Sequence, residues 1–151
     1  MYGMTSTPAL RRLGIAIGLV YAALLAMIAF QPMPVGRSAY PFIIRSVSRL
    51  REYGAPEWVS YTSVEFVANI LLFVPLGVVV VLLVGPRRWW WGVLVGFAIS
   101  GGIELGQLLF LSHRVATVND VVANTGGAFL GAALAALTVL PALRRRRATR
   151  A

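Results

Sequence analysis

The sequence predicts an all-α membrane protein, a small bundle of four transmembrane helices. Hydrophobic residues make up 58% of the 151 positions, and the mean hydropathy is +0.78. Only 13% of the residues are charged, whereas a soluble domain usually carries about 25%. The apolar residues fall into four blocks of 18 to 23 residues, and a helix needs roughly 20 to cross a bilayer. We therefore interpret residues 1–151 as a single membrane domain.

The first predicted span, residues 13–30, follows Arg11 and Arg12. A signal peptide has the same order of charge and apolar core, but its core has only about 7–15 residues. No small-x-small cleavage site follows the block in residues 29–32. We therefore predict a retained helix with the arginine pair as its cytoplasmic anchor.

The connection after this span, residues 31–63, contains one amphipathic segment between residues 42 and 53. Ile43, Val47 and Leu50 recur at helical spacing, while Arg45 and Arg49 fall on another face. This pattern predicts a short helix lying on the membrane surface. An ordinary solvated loop helix is the alternative.

The other predicted spans are residues 64–84, 89–111 and 121–143. A tight turn at residues 85–88 reverses the chain between the first two of them, and Trp89, Trp90 and Trp91 then suit an aromatic belt at the membrane interface. Pro75 interrupts its span and is expected to kink it. With the N-terminus inside, nine of the 14 arginines lie on the inner side and five on the outer side. This excess predicts a multi-pass protein of the cell membrane with both termini in the cytoplasm.

Polar residues of three different spans gather at one level, because successive helices alternate in direction. A carboxylate inside the membrane costs at least ~2.5–3.5 kcal/mol and is functional by default. A non-functional interpretation exists for each acid. Glu65 and Asp120 could lie at helix ends in water, and Glu104 could form a structural pair with Arg114 or a hydrogen bond to Asn69. The predicted ligand-binding residues are Glu65, Asn69, Glu104, Gln107, Arg114, Asp120 and Asn124.

Small residues at four-residue spacing predict close helix packing. Gly127 with Gly131 forms such a face on the last span, and Gly102 with Gly106 forms one on the third. Gly77 is expected to serve packing as well.

The composition also excludes some functions. The net charge of +9 resembles that of nucleic-acid-binding proteins, but most of the arginines flank apolar blocks, so no nucleic-acid partner is predicted. The chain has no cysteine, which excludes disulfides, thiol catalysis and thiolate metal sites. No cofactor and no resident metal is predicted.

Three segments together carry a family pattern. Residues 65–77 hold Glu65, Asn69 and Pro75, residues 104–107 read Glu-Leu-Gly-Gln, and residues 114–131 run from Arg114 to Gly131. Their order and spacing resemble the VanZ-like membrane protein family, with a core at about residues 64–140. The family is named for a teicoplanin-resistance accessory protein, which lowers susceptibility to a lipoglycopeptide antibiotic. The resemblance implies a small bacterial cell-envelope protein surrounded by membrane lipids, and it supplies a phenotype rather than a reaction.

Several functions remain open. A non-catalytic accessory protein would bind a lipid-linked cell-wall precursor or an amphiphilic antibiotic at the outer leaflet. Arg114, Arg45 and Arg49 would then meet phosphate or carboxylate, while the acids would balance these arginines or bind ligand amines. The amides of Asn69, Gln107 and Asn124 would supply neutral hydrogen bonds.

Alternatively, the chain is an intramembrane enzyme acting on a lipid. Glu104 would be the general acid or base, with Asp120 or Glu65 as partner and His113 as a proton shuttle. The three carboxylates could then hold Mg²⁺ or Mn²⁺. A structural or transporter-accessory role, in a homo-oligomer packed through the glycine faces, is a further possibility.

Overall fold

The computed structural model describes residues 8–30, 36–111 and 117–148. Over these ranges all the regular secondary structure is helical and there is no strand. A short 3-10 turn, Pro86–Arg88, joins the third helix to the fourth. The five helices are α1 Pro8–Ala29, α2 Gly36–Glu52, α3 Tyr61–Val84, α4 Trp90–Phe110 and α5 Val118–Ala148.

Three helices in the described part of the chain are long and apolar enough to cross a membrane. They are α3, α4 and the segment Val118–Val139 of α5. Among the described residues, the apolar part of α1 is Ile15–Ala29, which is shorter than these three segments. The role of α1 as a fourth span therefore stays a prediction.

The helix ends follow from local chemistry. Ser60 caps α3, because its hydroxyl accepts the amide of Ser63 at 3.2 Å. The helix stops at Gly85, whose φ of +91° lies in the left-handed region that favours glycine. Thr117 begins α5 in the same manner as Ser60, and its hydroxyl accepts the amide of Asp120 at 3.1 Å. These caps place Glu65 and Asp120 near the starts of their helices, and Asn69 and Asn124 about one turn further along.

The closest helix pair is α3 with α5, which lie parallel to each other. Gly127 lies against the backbone of Ile70, and Gly131 lies against the backbone of Val74 four residues further on. A Cβ atom on either glycine would overlap the facing carbonyl oxygen, and the same holds for Gly77 against Ala128. The predicted packing role of these three glycines is confirmed. The contact brings Cα atoms onto carbonyls, where weak Cα–H···O bonds form.

The predicted packing face at Gly102 and Gly106 is wrong. Gly102 has nothing near its would-be Cβ, and Gly106 faces only the ring of Phe30. The close face of α4 is instead formed by Gly92, Gly96 and Ser100, which run antiparallel along α5. Residue 102 is two positions beyond Ser100, and two residues turn a helix by about 200°, so the predicted pair faces away from α5.

An apolar core joins α1 to α3 and α4. Leu25 of α1 is buried with Phe73, Leu76 and Val80 of α3, and the Tyr21 hydroxyl donates to the carbonyl of Leu72. This carbonyl lies next to that of Leu71, which loses its usual helical donor because residue 75 is a proline. Despite Pro75, α3 is one continuous helix.

The amphipathic helix α2 begins at Gly36, earlier than the predicted segment, and passes through Pro41. Its apolar face packs on the bundle: Val47 is buried, and Ile43 is half-buried. Arg45 and Arg49 are exposed on the opposite side. Packing against α3 therefore accounts for part of the amphipathic pattern, and a position on the membrane surface stays a prediction.

Substitution of Gly131 by alanine tests the backbone contact. The added methyl group meets a carbonyl that no side-chain rotation can move, so we expect a loss of about 1–3 kcal/mol in unfolding free energy. Gly126→Ala, on the same helix, is the matched control, because its added Cβ meets no atom of the described residues within 4 Å. It should be neutral or stabilising, since alanine favours helix. Reversible unfolding of the purified protein in mixed micelles measures both, and equal stability of the two variants would contradict the packing.

Candidate ligand-binding cavity

A cavity of about 400 Å³ lies at the end of the bundle where α3 and α5 begin and where α1 and α4 end. All five helices contribute to its lining. The apolar part of the lining, called the apolar wall, comes from α1, α2, α3 and α4. It consists of Leu25, Ile28, Ile43, Leu72, Phe73 and Ile103.

The polar part of the lining, called the polar wall, comes from three helices, which contribute a pair of residues each. This polar wall consists of Glu65 and Asn69 of α3, Glu104 and Gln107 of α4, and Asp120 and Asn124 of α5. The structure thus brings together six of the seven predicted ligand-binding residues. The seventh, Arg114, lies outside the described residues, as does His113. Ligand binding by any of them stays a prediction.

Hydrogen bonds between helices hold the polar wall together. Asn69 Nδ2 donates to Asp120 Oδ1 at 2.6 Å, which joins α3 to α5. The amide of Thr117, at the start of α5, donates to Glu104 Oε2 at 2.8 Å. The suggested pairing of Glu104 with Arg114 or Asn69 stays a prediction.

Two further bonds lie deeper in the bundle. Asn124 Nδ2 donates to Ser100 Oγ at 2.9 Å, and Gln107 Nε2 donates to the carbonyl of Ala29 at 2.7 Å. That carbonyl belongs to the last residue of α1, where a helix leaves carbonyls without a partner. Both bonds are buried, and a buried polar group needs such a partner to be tolerated.

Burial increases from the mouth of the cavity to its base. Glu65 is exposed, and Asp120 is half-buried in the first turn of α5, where the helix dipole favours a negative charge. Glu104, Gln107 and Asn124 are buried, at 8%, 5% and 6% exposure. The helix-end interpretation therefore suits Asp120, whereas Glu104 lies inside the protein.

A comparison with protein-family models assigns the family. The VanZ/LLP1 model matches residues 18–139. The chain belongs to the VanZ/LLP1 family. Together with three helices able to span a bilayer, this membership fits a membrane protein. Neither a curated protein nor a solved structure matches the chain significantly.

Two members of this VanZ/LLP1 site were missed by sequence reasoning. Tyr61 lines the cavity four residues before Glu65, and Ser100, four residues before Glu104, holds the amide of Asn124. Residues four apart share a helix face, so the spacing carried this signal. No sequence spacing indicated that the carbonyl of Ala29 would accept the amide of Gln107, because this bond depends on where α1 ends.

Other predicted contributors stand apart from the cavity of this VanZ/LLP1 protein. Arg45 is exposed, its Nε donates to the carbonyl of Pro41 at 3.0 Å, and neither it nor Arg49 lines the cavity. Glu65, Glu104 and Asp120 share one wall, yet no three Asp, Glu, His or Cys side chains in the described ranges are grouped closely enough to hold a metal ion.

A double-mutant cycle on Asn69 and Asp120 tests the bond between α3 and α5. We expect a coupling energy of about 1–2 kcal/mol between Asn69→Ala and Asp120→Ala. Interhelical hydrogen bonds in membrane proteins average ~0.6 kcal/mol, and hydrogen bonds to charged groups are stronger. Unfolding free energies of the wild type, the two single variants and the double variant give the coupling. A cycle of Asn69 with Thr138, whose hydroxyl bonds within its own helix, should be additive. Additivity for Asn69 and Asp120 would remove this bond from the account of the site.

Proposed function

We propose that this VanZ/LLP1 protein is a non-catalytic accessory protein of the bacterial cell envelope that holds an amphiphilic ligand at the outer leaflet. The observation that supports the proposal is the cavity with one apolar and one polar wall. Its volume of about 400 Å³ falls within the range of roughly 300–1,000 Å³ typical of ligand pockets.

The two walls suit the two parts of an amphiphile. A hydrocarbon chain gains about 0.8 kcal/mol for each CH₂ that leaves water, and the side chains of Leu25, Leu72 and Phe73 offer it an apolar surface. A polar head group would meet the carboxylate and amide groups of the polar wall. A lipid-linked cell-wall precursor and a lipoglycopeptide antibiotic both have this two-part chemistry.

The distribution of arginines supports an outward-facing cavity. The N-terminus of α1, the α3–α4 turn and the C-terminus of α5 carry Arg11, Arg12, Arg87, Arg88 and residues 144–147, and they lie at the end of the bundle opposite the cavity. The positive-inside rule assigns the arginine-rich end to the cytoplasm. We propose that α1 is the fourth span, so that both termini are cytoplasmic and the cavity opens at the outer leaflet.

A lipid-modifying enzyme is the second candidate. Glu104 favours it, because a buried carboxyl on a cavity wall is suited to proton transfer. Its Oε2 accepts the Thr117 amide, however, which fixes the carboxyl group in place. Binding needs only this fixed arrangement, whereas catalysis needs Glu104 to exchange a proton, so we favour binding.

Single cysteines test the orientation. The chain has no cysteine of its own, so an introduced thiol is the only one to react. We expect Glu57→Cys, in the exposed α2–α3 connection, to react with a membrane-impermeant maleimide on intact cells. Arg88→Cys, exposed in the α3–α4 turn, should react only after the cells are permeabilised. The reverse pattern would place the cavity at the inner leaflet and contradict the proposal.

Antibiotic susceptibility tests the envelope role. We expect the wild type, expressed in a susceptible host, to raise the teicoplanin concentration that inhibits growth. Glu104→Gln should lose this protection at equal membrane levels, because it removes the charge at the base of the cavity. Glu57→Gln, an exposed acid away from the cavity, is the matched control and should protect like the wild type.

Two results would count against this role. Full protection by Glu104→Gln would separate the cavity from the phenotype. Absence of protection by the wild type would detach this family member from glycopeptide antibiotics and direct the search to other amphiphiles of the outer leaflet.

A further inference from the structure

We propose that the amphiphile held in the cavity is a lipid of the surrounding bilayer, whose hydrocarbon chain enters sideways through an opening bordered by α2 and α3. This inference rests on the proposed function and adds the source of the ligand and its route of entry.

The first observation is the position of the exposed residues in the cavity lining. Four of the described lining residues are exposed, and all of them belong to α2 or α3: Ala39, Val64, Glu65 and Ala68. The lining residues of α1, α4 and α5 are buried or half-buried. The cavity therefore opens to the outside at α2 and α3, and we call Ala39, Val64 and Ala68 the portal.

The second observation is that the portal continues into the apolar outer surface of α3. Val64, Ala68, Leu71 and Pro75 follow one another at steps of three or four residues, so they share one face of the helix. All four are exposed, but only the first two line the cavity. Because this face is apolar along its length, a hydrocarbon chain that lies on it reaches the cavity along an apolar path.

The third observation is the depth of the portal in the span. Tyr61, the first residue of α3, packs edge-to-face on Tyr40 of α2 with ring centroids 4.9 Å apart, and tyrosine is enriched at the membrane interface. Ala68 lies about 10 Å along the helix from Tyr61. The 24 residues of α3 rise about 36 Å, only slightly more than the hydrocarbon core of about 30 Å. Ala68 therefore lies at the level of the lipid chains rather than of the head groups.

The position of the portal favours a lipid of the bilayer over an amphiphile that arrives from water. The chain of a bilayer lipid is already beside the portal and passes from hydrocarbon to the apolar wall without contact with water. An amphiphile that enters from the aqueous end would bring its chain past Glu65 and Asp120, near the starts of α3 and α5. Exposure of a hydrocarbon chain to water and polar groups on that route is unfavourable.

Photolabelling from vesicles tests the presence of a lipid chain in the cavity. The full-length protein is reconstituted in phosphatidylcholine and phosphatidylglycerol, a fraction of which carries a diazirine in one acyl chain. After illumination, mass spectrometry locates the attached lipid. Leu25 and Phe73 line the cavity at 4% and 0% exposure, so a chain reaches them only from inside. We expect label on both residues, and on Leu108, an exposed residue of α4 outside the lining.

Tryptophan substitutions test the portal. Ala68→Trp and Ala39→Trp each place a large ring in the opening, and each should reduce the label on Leu25 and Phe73 about tenfold. The label on Leu108 should stay unchanged, which guards against a loss caused by misfolding. Ala98→Trp is the matched control, because Ala98 is an exposed alanine of α4 outside the cavity lining. It should be labelled like the wild type.

The possible failures are distinguishable. Unchanged label on Leu25 and Phe73 in both portal variants, or an equal loss in Ala98→Trp, would overturn the sideways entry and leave the amphiphile-binding function standing. Absence of label on these two residues in the wild type would overturn the bilayer lipid as ligand. A decyl glucoside with a diazirine in its chain, added from solution, then decides the rest. Label from this probe on the same residues would keep the proposed function, and its absence would overturn both proposals.

Discussion

The contact between the backbones of α3 and α5 is the constraint on which the rest of the structure depends. Gly127 and Gly131 lie on the carbonyls of Ile70 and Val74, and any larger residue there would overlap the facing helix. Sliding one helix along the other would bring a side chain onto a carbonyl, so the register is fixed. Because the two helices are parallel, this register sets both of their first turns at the same end of the bundle.

The polar wall is a consequence of that register. Once the first turns of α3 and α5 are level, Asn69 reaches Asp120, and α4 adds Ser100 and Glu104 from the opposite direction. Charged and amide groups in a membrane bundle are costly unless each finds a partner. The interhelical bonds reduce this cost, and they also hold the cavity open, because the side chains are drawn to one another along its wall.

The helices α1 and α2 add apolar side chains beside the polar cluster, so the cavity has both apolar and polar lining. α1 is fixed to α3 through Leu25 and Tyr21, and the carbonyl of its last residue, Ala29, receives the amide of Gln107. α2 lies against α3 and adds Ile43 to the apolar wall. The family match begins at residue 18 and therefore covers part of α1 and all of α2, both of which line the cavity.

The sequence by itself determined the helical class, the three long apolar spans, the packing role of Gly77, Gly127 and Gly131, and the family. These depend on composition and on periodicity along one chain segment, which local sequence contains. Only the tertiary structure decided that Gly92 and Gly96, rather than Gly102 and Gly106, face α5, and that Asn69 bonds Asp120. It also decided that α1 and α2 add residues to the apolar wall. These facts depend on the rotation and relative height of helices distant in sequence, which the close contact of α3 with α5 fixes in space.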